Sequence, residues 1–442
     1  MIENNIFKYA PNELVQDAFI CWLLNWIKTD RDEEEIKKVA KDFLREIILD
    51  YDKSFADKVI DYSNFKILTQ YQIELNNYKE YDENNKKFFQ KKECLKKVKG
   101  RIDILVIVDR FAIIIEDKVN TGEHDFQMYQ YKNALETEIT NKTENEVKET
   151  LSGKKVIACY YKIYDECNIK GKKYIDSVFD RERILLFFEK YCEIKNLFFS
   201  QYINYIKRID YYSKLHNQKE NINKEILNDC FLKPNMITDI RYLGLMKELE
   251  QFIENDKSFP MQKVYWGKSN ESGARDTWWC NIEIDLFVED SKNFREKAFL
   301  KINAYEKDNI KIRLMIGKKI FEIKENEERE NNIRILYEYS KKQEGKDCIV
   351  AKYQEKNNNY NEIKNKVYLK LQKERIIEKI NNEIGNYECK LGGNSGNYEM
   401  TIFTIKTDLN INSSNIYTKL KNLINILNKN LKNFKIKELQ GV

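Results

Sequence analysis

The sequence contains little of what several common classes of protein require. Its 442 residues include 2 histidines, 3 prolines and 14 glycines. The 9 cysteines are widely spaced, and no two of them form a Cys-x-x-Cys pair. With so few histidines, this spacing argues against a structural zinc site. No apolar run reaches the roughly 18 residues that a membrane helix needs, so we expect no membrane association.

The charge is abundant but nearly balanced. Lys and Arg number 77 and Asp and Glu 72, a net charge of +5, which by itself does not indicate a polyanionic partner. The hydrophobic share of 42% is enough for a large core, and a chain this long is expected to form two domains. Scattered cysteines in odd number and an N-terminus unlike a signal peptide predict reduced thiols and a cytoplasmic location.

Hydrophobic periodicity predicts an α/β fold in residues 1–216 and an α+β domain in residues 226–442. The polar run "HNQKENINKE" (216–225) lies between them. The second domain shows several alternating strands typical of an antiparallel sheet, and its role in recognition, regulation or oligomerisation stays open. In the first domain, helices are predicted at about 12–27, 32–49 and 181–215, and strands at 65–75, 102–108, 111–118 and 154–163.

Four charged side chains interrupt the apolar stretch "GRIDILVIVDRFAIIIEDKVN" (100–120). A two-residue turn at Asp109-Arg110 predicts a hairpin in which the numbers of paired residues sum to 219. Asp103 then faces Glu116, and Lys118 shares their side of the sheet. Asp117 points to the opposite side, with only its backbone carbonyl near the two carboxylates.

Two carboxylates this close repel each other and lose hydration, which a protein tolerates when a divalent cation bridges them. Mg²⁺ prefers oxygen ligands, and one or two carboxylates with water and phosphate usually hold it. Lys118 is placed to orient or deprotonate a metal-bound water, or to stabilise developing charge. The pattern therefore predicts a site for Mg²⁺ or Mn²⁺ that acts on a phosphodiester.

The spacing Asp103, then Glu116-x-Lys118, resembles the core of the PD-(D/E)XK nuclease superfamily. The following segment has Gln127 and Tyr131 one helical turn apart, similar to the QxxxY motif of the RecB-like branch. The resemblance covers residues 1–165 and extends to a group of bacterial members. Arg101-Ile102 stands where the proline of the superfamily's name would be, a position that varies widely.

The resemblance implies a restriction-endonuclease-like mixed sheet flanked by helices and a metal-dependent nuclease acting on DNA, in bacterial defence against foreign DNA. It implies that Gln127 and Tyr131 line the site and contact DNA. It also implies that Glu13, on the first helix, joins the metal ligands Asp103, Glu116 and Asp117. An acid in a first helical turn is equally expected from the helix dipole, so both interpretations of Glu13 stand.

A basic stretch precedes the predicted hairpin. Residues 86–101 carry eight basic side chains against the single acid Glu93. One interpretation is a solvated loop. The other is a rim that contacts phosphates and so binds nucleic acid. The nearest candidates to the predicted site are Lys96, Lys97, Lys99 and Arg101.

Two other functions remain open at this point. One is a binding or sensor module that has kept this fold and lost catalysis, although the presence of all the expected chemical residues argues against it. The same metal chemistry also serves RNA, whose selection depends on shape and 2′-hydroxyl contacts. The sequence does not indicate whether such an enzyme is an endonuclease or an exonuclease. It also does not indicate whether the chain forms a homo-oligomer.

Overall fold

The structure is a computed structural model, which describes part of the chain. The described residues are 12–29, 33–75, 80–82, 87–89, 98–118, 127–140, 151–166, 172–215, 229, 231–255, 264–269, 277–284, 298–305, 308–317, 364–385, 387–392, 399–411, 413 and 415–431.

Five strands of the N-terminal half form one mixed sheet, which confirms the predicted fold class. They are β1 (Lys66–Leu75), β4 (Val98–Val108), β5 (Phe111–Lys118), β6 (Lys155–Lys162) and β7 (Ser177–Phe179), in that spatial order; β2 (Glu80–Asp82) and β3 (Lys87–Phe89) form a separate ribbon. The β1–β4 and β4–β5 pairs are antiparallel, whereas β5–β6 and β6–β7 are parallel. Every residue of β5 is buried, as expected for a strand covered on both faces.

Helices cover both faces of this sheet. On one face, α3 (Gln127–Thr140) packs its buried Met128 and Leu135 into the same core as Ile114 of β5. The other face meets α1 (Asn12–Asn25) and α2 (Glu34–Tyr51), where Phe43 contacts the ring of Tyr161. Because successive strand residues alternate between faces, β5 and β6 each supply both cores.

The predicted helical region 181–215 is two helices, α4 (Arg181–Glu189) and α5 (Leu197–Lys214). Each begins at a residue whose side chain accepts a hydrogen bond from a backbone N–H of the first turn: Asp180 from Arg183, and Asn196 from Phe199. Such capping satisfies donors that a helix start leaves unpaired. The cap at Asn196 starts a second helix inside the region, which is why the apolar pattern does not form one helix.

The C-terminal half has a six-stranded antiparallel sheet, as predicted. Its spatial order is β12-β13-β11-β10-β9-β8, and all neighbouring strands in this order are antiparallel. The strands are β8 (Val264–Ser269), β9 (Thr277–Ile284), β10 (Ala298–Tyr305), β11 (Asp308–Gly317), β12 (Glu388–Leu391) and β13 (Glu399–Lys406); the helices are α6 (Pro234–Asn255), α7 (364–373), α8 (Ile376–Ile384) and α9 (Ile416–Leu431).

The chain divides into two compact units. The first contains Met1–Leu215 and Glu220–Gly244, and the second contains His216–Lys219 and Leu245–Val442. Residues 226–244, which the sequence assigned to the second domain, group with the first unit in this division. No helix in the described part of the chain is both long and apolar enough to cross a membrane.

Candidate active site

The β4–β5 hairpin has the register that its turn predicts. Leu105 pairs with Ile114 and Ile104 with Ile115, so the paired numbers sum to 219. Asp103 and Glu116 occupy the next position along this ladder, on one face of the sheet. The backbone N–H of Asp117 donates to Oδ2 of Asp103 over 3.4 Å. The hairpin therefore brings the two predicted acids together where the strands leave the ladder.

Glu116 is an acid held in an unfavourable environment. Its side chain is 0% exposed, and burial raises its pKa to about 8. This value already includes the ammonium of Lys118, which lowers the pKa, and the charge of Asp103, which raises it. Nζ of Lys118 donates to Oε1 of Glu116 over 2.5 Å. Near neutral pH Glu116 is therefore mostly protonated as long as no further cation is bound.

The donor set fits a divalent cation. Oε2 of Glu116 is buried and makes no hydrogen bond to any described residue, and a buried oxygen of this kind usually has a partner. Among the described residues no cluster of three or more His, Cys, Asp or Glu side chains could hold a metal ion. Asp103 and Glu116 are a pair, which is the number of carboxylates that Mg²⁺ commonly takes when water and phosphate complete its shell.

Helix α3 places the predicted Gln127 and Tyr131 beside this pair. Nε2 of Gln127 donates to the hydroxyl of Tyr131 over 2.8 Å, and the backbone N–H of Arg101 donates to the same oxygen over 3.3 Å. Burial raises the pKa of Tyr131, and the charge of Glu116 raises it further. Tyr131 therefore stays a neutral phenol within electrostatic reach of Glu116, and it links α3 to β4.

The absence of a side chain at Gly100 makes room for Tyr131. A Cβ at Gly100 would lie 2.6 Å from Cε1 of Tyr131 and 3.2 Å from Cγ2 of Ile73. Gly100→Ala is expected to displace the tyrosine ring and to lower the free energy of unfolding by about 1–3 kcal/mol, measured by urea unfolding. In a Tyr131→Ala background the same change should cost little, because the ring is gone. An equal cost in both backgrounds would contradict this contact.

The strand opposite Asp103 is distorted. In the β1–β4 ladder Thr69 pairs with Ile104 and Tyr71 with Ile102, so Gln70 lies across from Asp103. Gln70 has a φ of 53°, a left-handed conformation that costs a non-glycine residue about 1–2 kcal/mol. Such strain is typical of positions where the surrounding structure imposes the backbone geometry of a site.

Asp117 faces away from the other acids. Its side chain is 1% exposed, and its charge helps burial to raise the pKa values of Tyr161, Tyr202 and Tyr205. These tyrosines lie on β6 and α5, on the opposite side of the sheet from Glu116. As a metal ligand, Asp117 therefore has only its backbone carbonyl to offer.

Strand β6 brings a cation to the site that the sequence did not single out. Parallel pairing sets Tyr160 beside Glu116 and Lys162 beside Lys118, so all four side chains share one face. Lys162 is 3% exposed, and its Nζ lies 3.8 Å from Oε2 of Glu166. The hydroxyl of Tyr160 donates to the same carboxylate oxygen over 2.7 Å. A lysine within an otherwise apolar strand was the available signal.

The remaining predicted residues are only partly described. Lys99 and Arg101 are exposed on β4, and by strand alternation they point away from the side on which Gly100 and Ile102 meet Tyr131. Glu13 lies in the first turn of α1, but its side chain is outside the described residues, and so are Lys96 and Lys97. The two described cations extend outward along the strand that carries Asp103.

A comparison with protein-family models bears on this arrangement. The model of the PD-(D/E)XK nuclease superfamily matches residues 4–224, which is half of the chain and contains every candidate site residue. Searches of curated proteins and of solved structures found no match.

Proposed function

Because this chain belongs to the PD-(D/E)XK nuclease superfamily, we propose that it is a metal-dependent nuclease that hydrolyses phosphodiester bonds of DNA. Action in the cytoplasm and in bacterial defence against foreign DNA is part of the proposal. The location rests on the scattered cysteines, and the defence role rests on the family resemblance alone. A divalent metal and a nucleic-acid substrate are typical of the superfamily. We further propose that the metal is Mg²⁺ or Mn²⁺ and that the substrate is DNA rather than RNA.

One observation carries the proposal. Asp103, Glu116 and Lys118 lie on one face of a single hairpin, and the buried Oε2 of Glu116 accepts no hydrogen bond from a described residue. A purely structural ion pair would be expected to satisfy both carboxylate oxygens. The unsatisfied oxygen of Glu116 is instead what we expect of a carboxylate that binds a cation from solution.

Each residue then has a role in hydrolysis. Asp103 and Glu116 would hold Mg²⁺ or Mn²⁺, which when bound lowers the pKa of water and offsets charge on the phosphate. Lys118, 8% exposed and fixed by its contact with Glu116, would orient the attacking water or stabilise the charge that develops on the phosphate oxygens. Gln127 and Tyr131 would position the substrate, since both reach the Glu116 face from α3.

Lys162 is proposed to bind a phosphate of the same strand. It is about as buried as Lys118 and stands beside it in the β5–β6 ladder, and Glu166 holds it at the edge of the site. A cation that contacts a flanking phosphate contributes to binding rather than to the chemical step. Exchange of Glu166 for the incoming phosphate would leave Lys162 paired in both states.

Lys162→Gln is therefore expected to raise KM several-fold with little change in kcat, and to lower the salt slope of DNA binding by about 1. Lys162→Arg should restore most of the binding, because it restores the charge. Lys155→Gln is the matched control, since Lys155 is an exposed lysine at the other end of the same strand. A fall in thermal stability without a KM effect would identify Lys162 as a purely structural partner of Glu166.

The proposed function is tested by cleavage of circular, linear and single-stranded DNA and of RNA, each with Mg²⁺, Mn²⁺ or EDTA. Cutting of DNA that requires metal is the expected result. Cutting of RNA alone would move the assignment to an RNA nuclease. Failure to cut any substrate, together with failure to bind Mn²⁺, would overturn the nuclease assignment in favour of a binding module.

A further inference from the structure

The six-stranded sheet of the second unit has one face that carries an apolar core and one that is lined mainly by polar and charged residues. On the core face, residues that pair across the strands are almost completely buried; examples are Cys280, Ile302, Ile312 and Ile405. The intervening residues form the other face. Two rows of paired residues cross the six strands on this other face. The first row is Tyr265, Asn281, Lys301, Arg313, Thr404 and Lys390. The second row is Gly267, Trp279, Asn303, Lys311, Lys406 and Glu388.

These two rows, here named the basic sheet face, concentrate positive charge. They contain five cations, Lys301, Lys311, Arg313, Lys390 and Lys406, and a single acid, Glu388, which stands opposite Lys406. Lys390 and Lys406 are exposed, and the other three cations are partly exposed. In a chain whose overall charge is nearly balanced, such a surface is complementary to a polyanion.

Aromatic rings occupy one end of the basic sheet face. Trp279 and Tyr265 are partly exposed, unlike the neighbouring Trp266 and Trp278, whose side chains are buried on the core side. Gly267 lies beside Trp279 in the ladder, and a Cβ there would be 3.4 Å from Cζ2 of the indole. The ring therefore lies over bare backbone, which leaves it accessible from the solvent side. Proteins that bind single-stranded nucleic acid commonly place aromatic rings next to cations, so that the rings stack on bases and the cations contact phosphates.

Two polar groups of the same face have hydrogen-bonding capacity left over. Asn281 is 7% exposed, and its buried Oδ1 makes no hydrogen bond to a described residue; the same holds for the buried Nε of Arg313. The guanidinium of Arg313 is oriented by Nη2, which donates to Oδ1 of Asn303. A partly exposed guanidinium that is held in place in this way is well suited to a phosphate oxygen.

We propose that the basic sheet face binds single-stranded nucleic acid, with the backbone along Lys301, Lys311 and Arg313 and a base stacked on Trp279. With strands about 4.8 Å apart, the two rows extend over roughly 24 Å, enough for several nucleotides. The inference concerns binding and does not depend on the first unit cutting anything. It gives the second unit a role in capturing a strand.

Binding is measured with the full chain in EDTA, by fluorescence anisotropy with short oligothymidylate, oligouridylate and a DNA duplex of equal length. Lys311→Glu with Arg313→Glu should weaken single-strand binding by about tenfold or more and reduce its salt slope. Trp279→Ala should weaken it by about tenfold with the salt slope unchanged, because stacking releases no counterions. Tighter binding of either oligomer than of the duplex is expected, and the two oligomers distinguish DNA from RNA.

The matched control is Lys379→Glu with Lys419→Glu, which makes the same change in net charge at exposed lysines of α8 and α9. Lys311→Gln with Arg313→Gln repeats the test with a milder change, should the charge reversal prevent folding. Equal weakening by the control pair, or equal affinity for the duplex, would overturn the inference. If the chain binds single strands but cleaves nothing when metal is added, the proposed nuclease alone is contradicted. If it cleaves, and the double variants bind single strands as tightly as the wild type, the role of the basic sheet face alone is contradicted.

Discussion

Lys118→Ala is expected to lower the rate of metal-dependent cleavage by about 10²–10⁴-fold and to leave the fold in place. Lys118 donates to Glu116 from the same face of β5, so its ammonium is the cation held directly against a proposed metal ligand. Both carboxylates remain in the variant. Mn²⁺ binding at pH 8, followed by calorimetry, should therefore persist while single-turnover cleavage is lost.

The separation of these two measurements makes the experiment specific. Loss of Mn²⁺ binding in Lys118→Ala would show that the lysine holds the carboxylates in place and is not a chemical participant. Lys118→Arg keeps the charge but changes its position, so partial activity is expected. Lys155→Ala, at an exposed position on β6, should cleave at the wild-type rate and controls for the loss of a lysine.

The hairpin shows why part of the site could be predicted from sequence. A two-residue turn determines the register of the strands that it joins, so Asp109-Arg110 sets Asp103 beside Glu116 without any further information. The QxxxY spacing of Gln127 and Tyr131 similarly determines that they share a helix face. Local geometry propagates over these short distances, and the structure has both arrangements.

Lys162 shows where that reasoning stops. Strands β5 and β6 are parallel, and residues 119–154, including α3, connect them, so no turn determines which residues lie side by side. Their register results from packing on α3 and α2, which involves contacts distant in sequence. The basic sheet face is a further case, because its two rows draw on six strands whose order, with β13 between β12 and β11, does not follow the sequence.

Glu116→Gln is expected to have two effects of opposite sign. The amide cannot replace a carboxylate as a metal ligand, so Mn²⁺ binding should weaken by at least about 100-fold and cleavage should disappear. The metal-free fold should meanwhile become more stable relative to the wild type as the pH rises. Both effects come from the same property, which is that Glu116 is a completely buried acid with an oxygen that no described residue satisfies.

The sign of the pH effect comes from the proton that Glu116 retains. Its pKa is about 8 in the folded protein against an ordinary value of 4.5. Between these values the folded state holds a proton that the unfolded state has released, so wild-type stability falls as the pH rises from about 5 to 8. The amide side chain introduced by Glu116→Gln does not titrate, so this contribution to the decline is absent from the variant.

Urea unfolding in EDTA at pH 5 and pH 8 measures this difference directly. The stability of Glu116→Gln relative to wild type should increase between the two pH values, whereas Glu182→Gln, at an exposed acid in the first turn of α4, should show no such increase. Parallel pH profiles for wild type and Glu116→Gln would mean that Glu116 is ionised in the metal-free fold. The buried acid would then be neutralised by Lys118 alone, and the reason for assigning a second cation to this site would be lost.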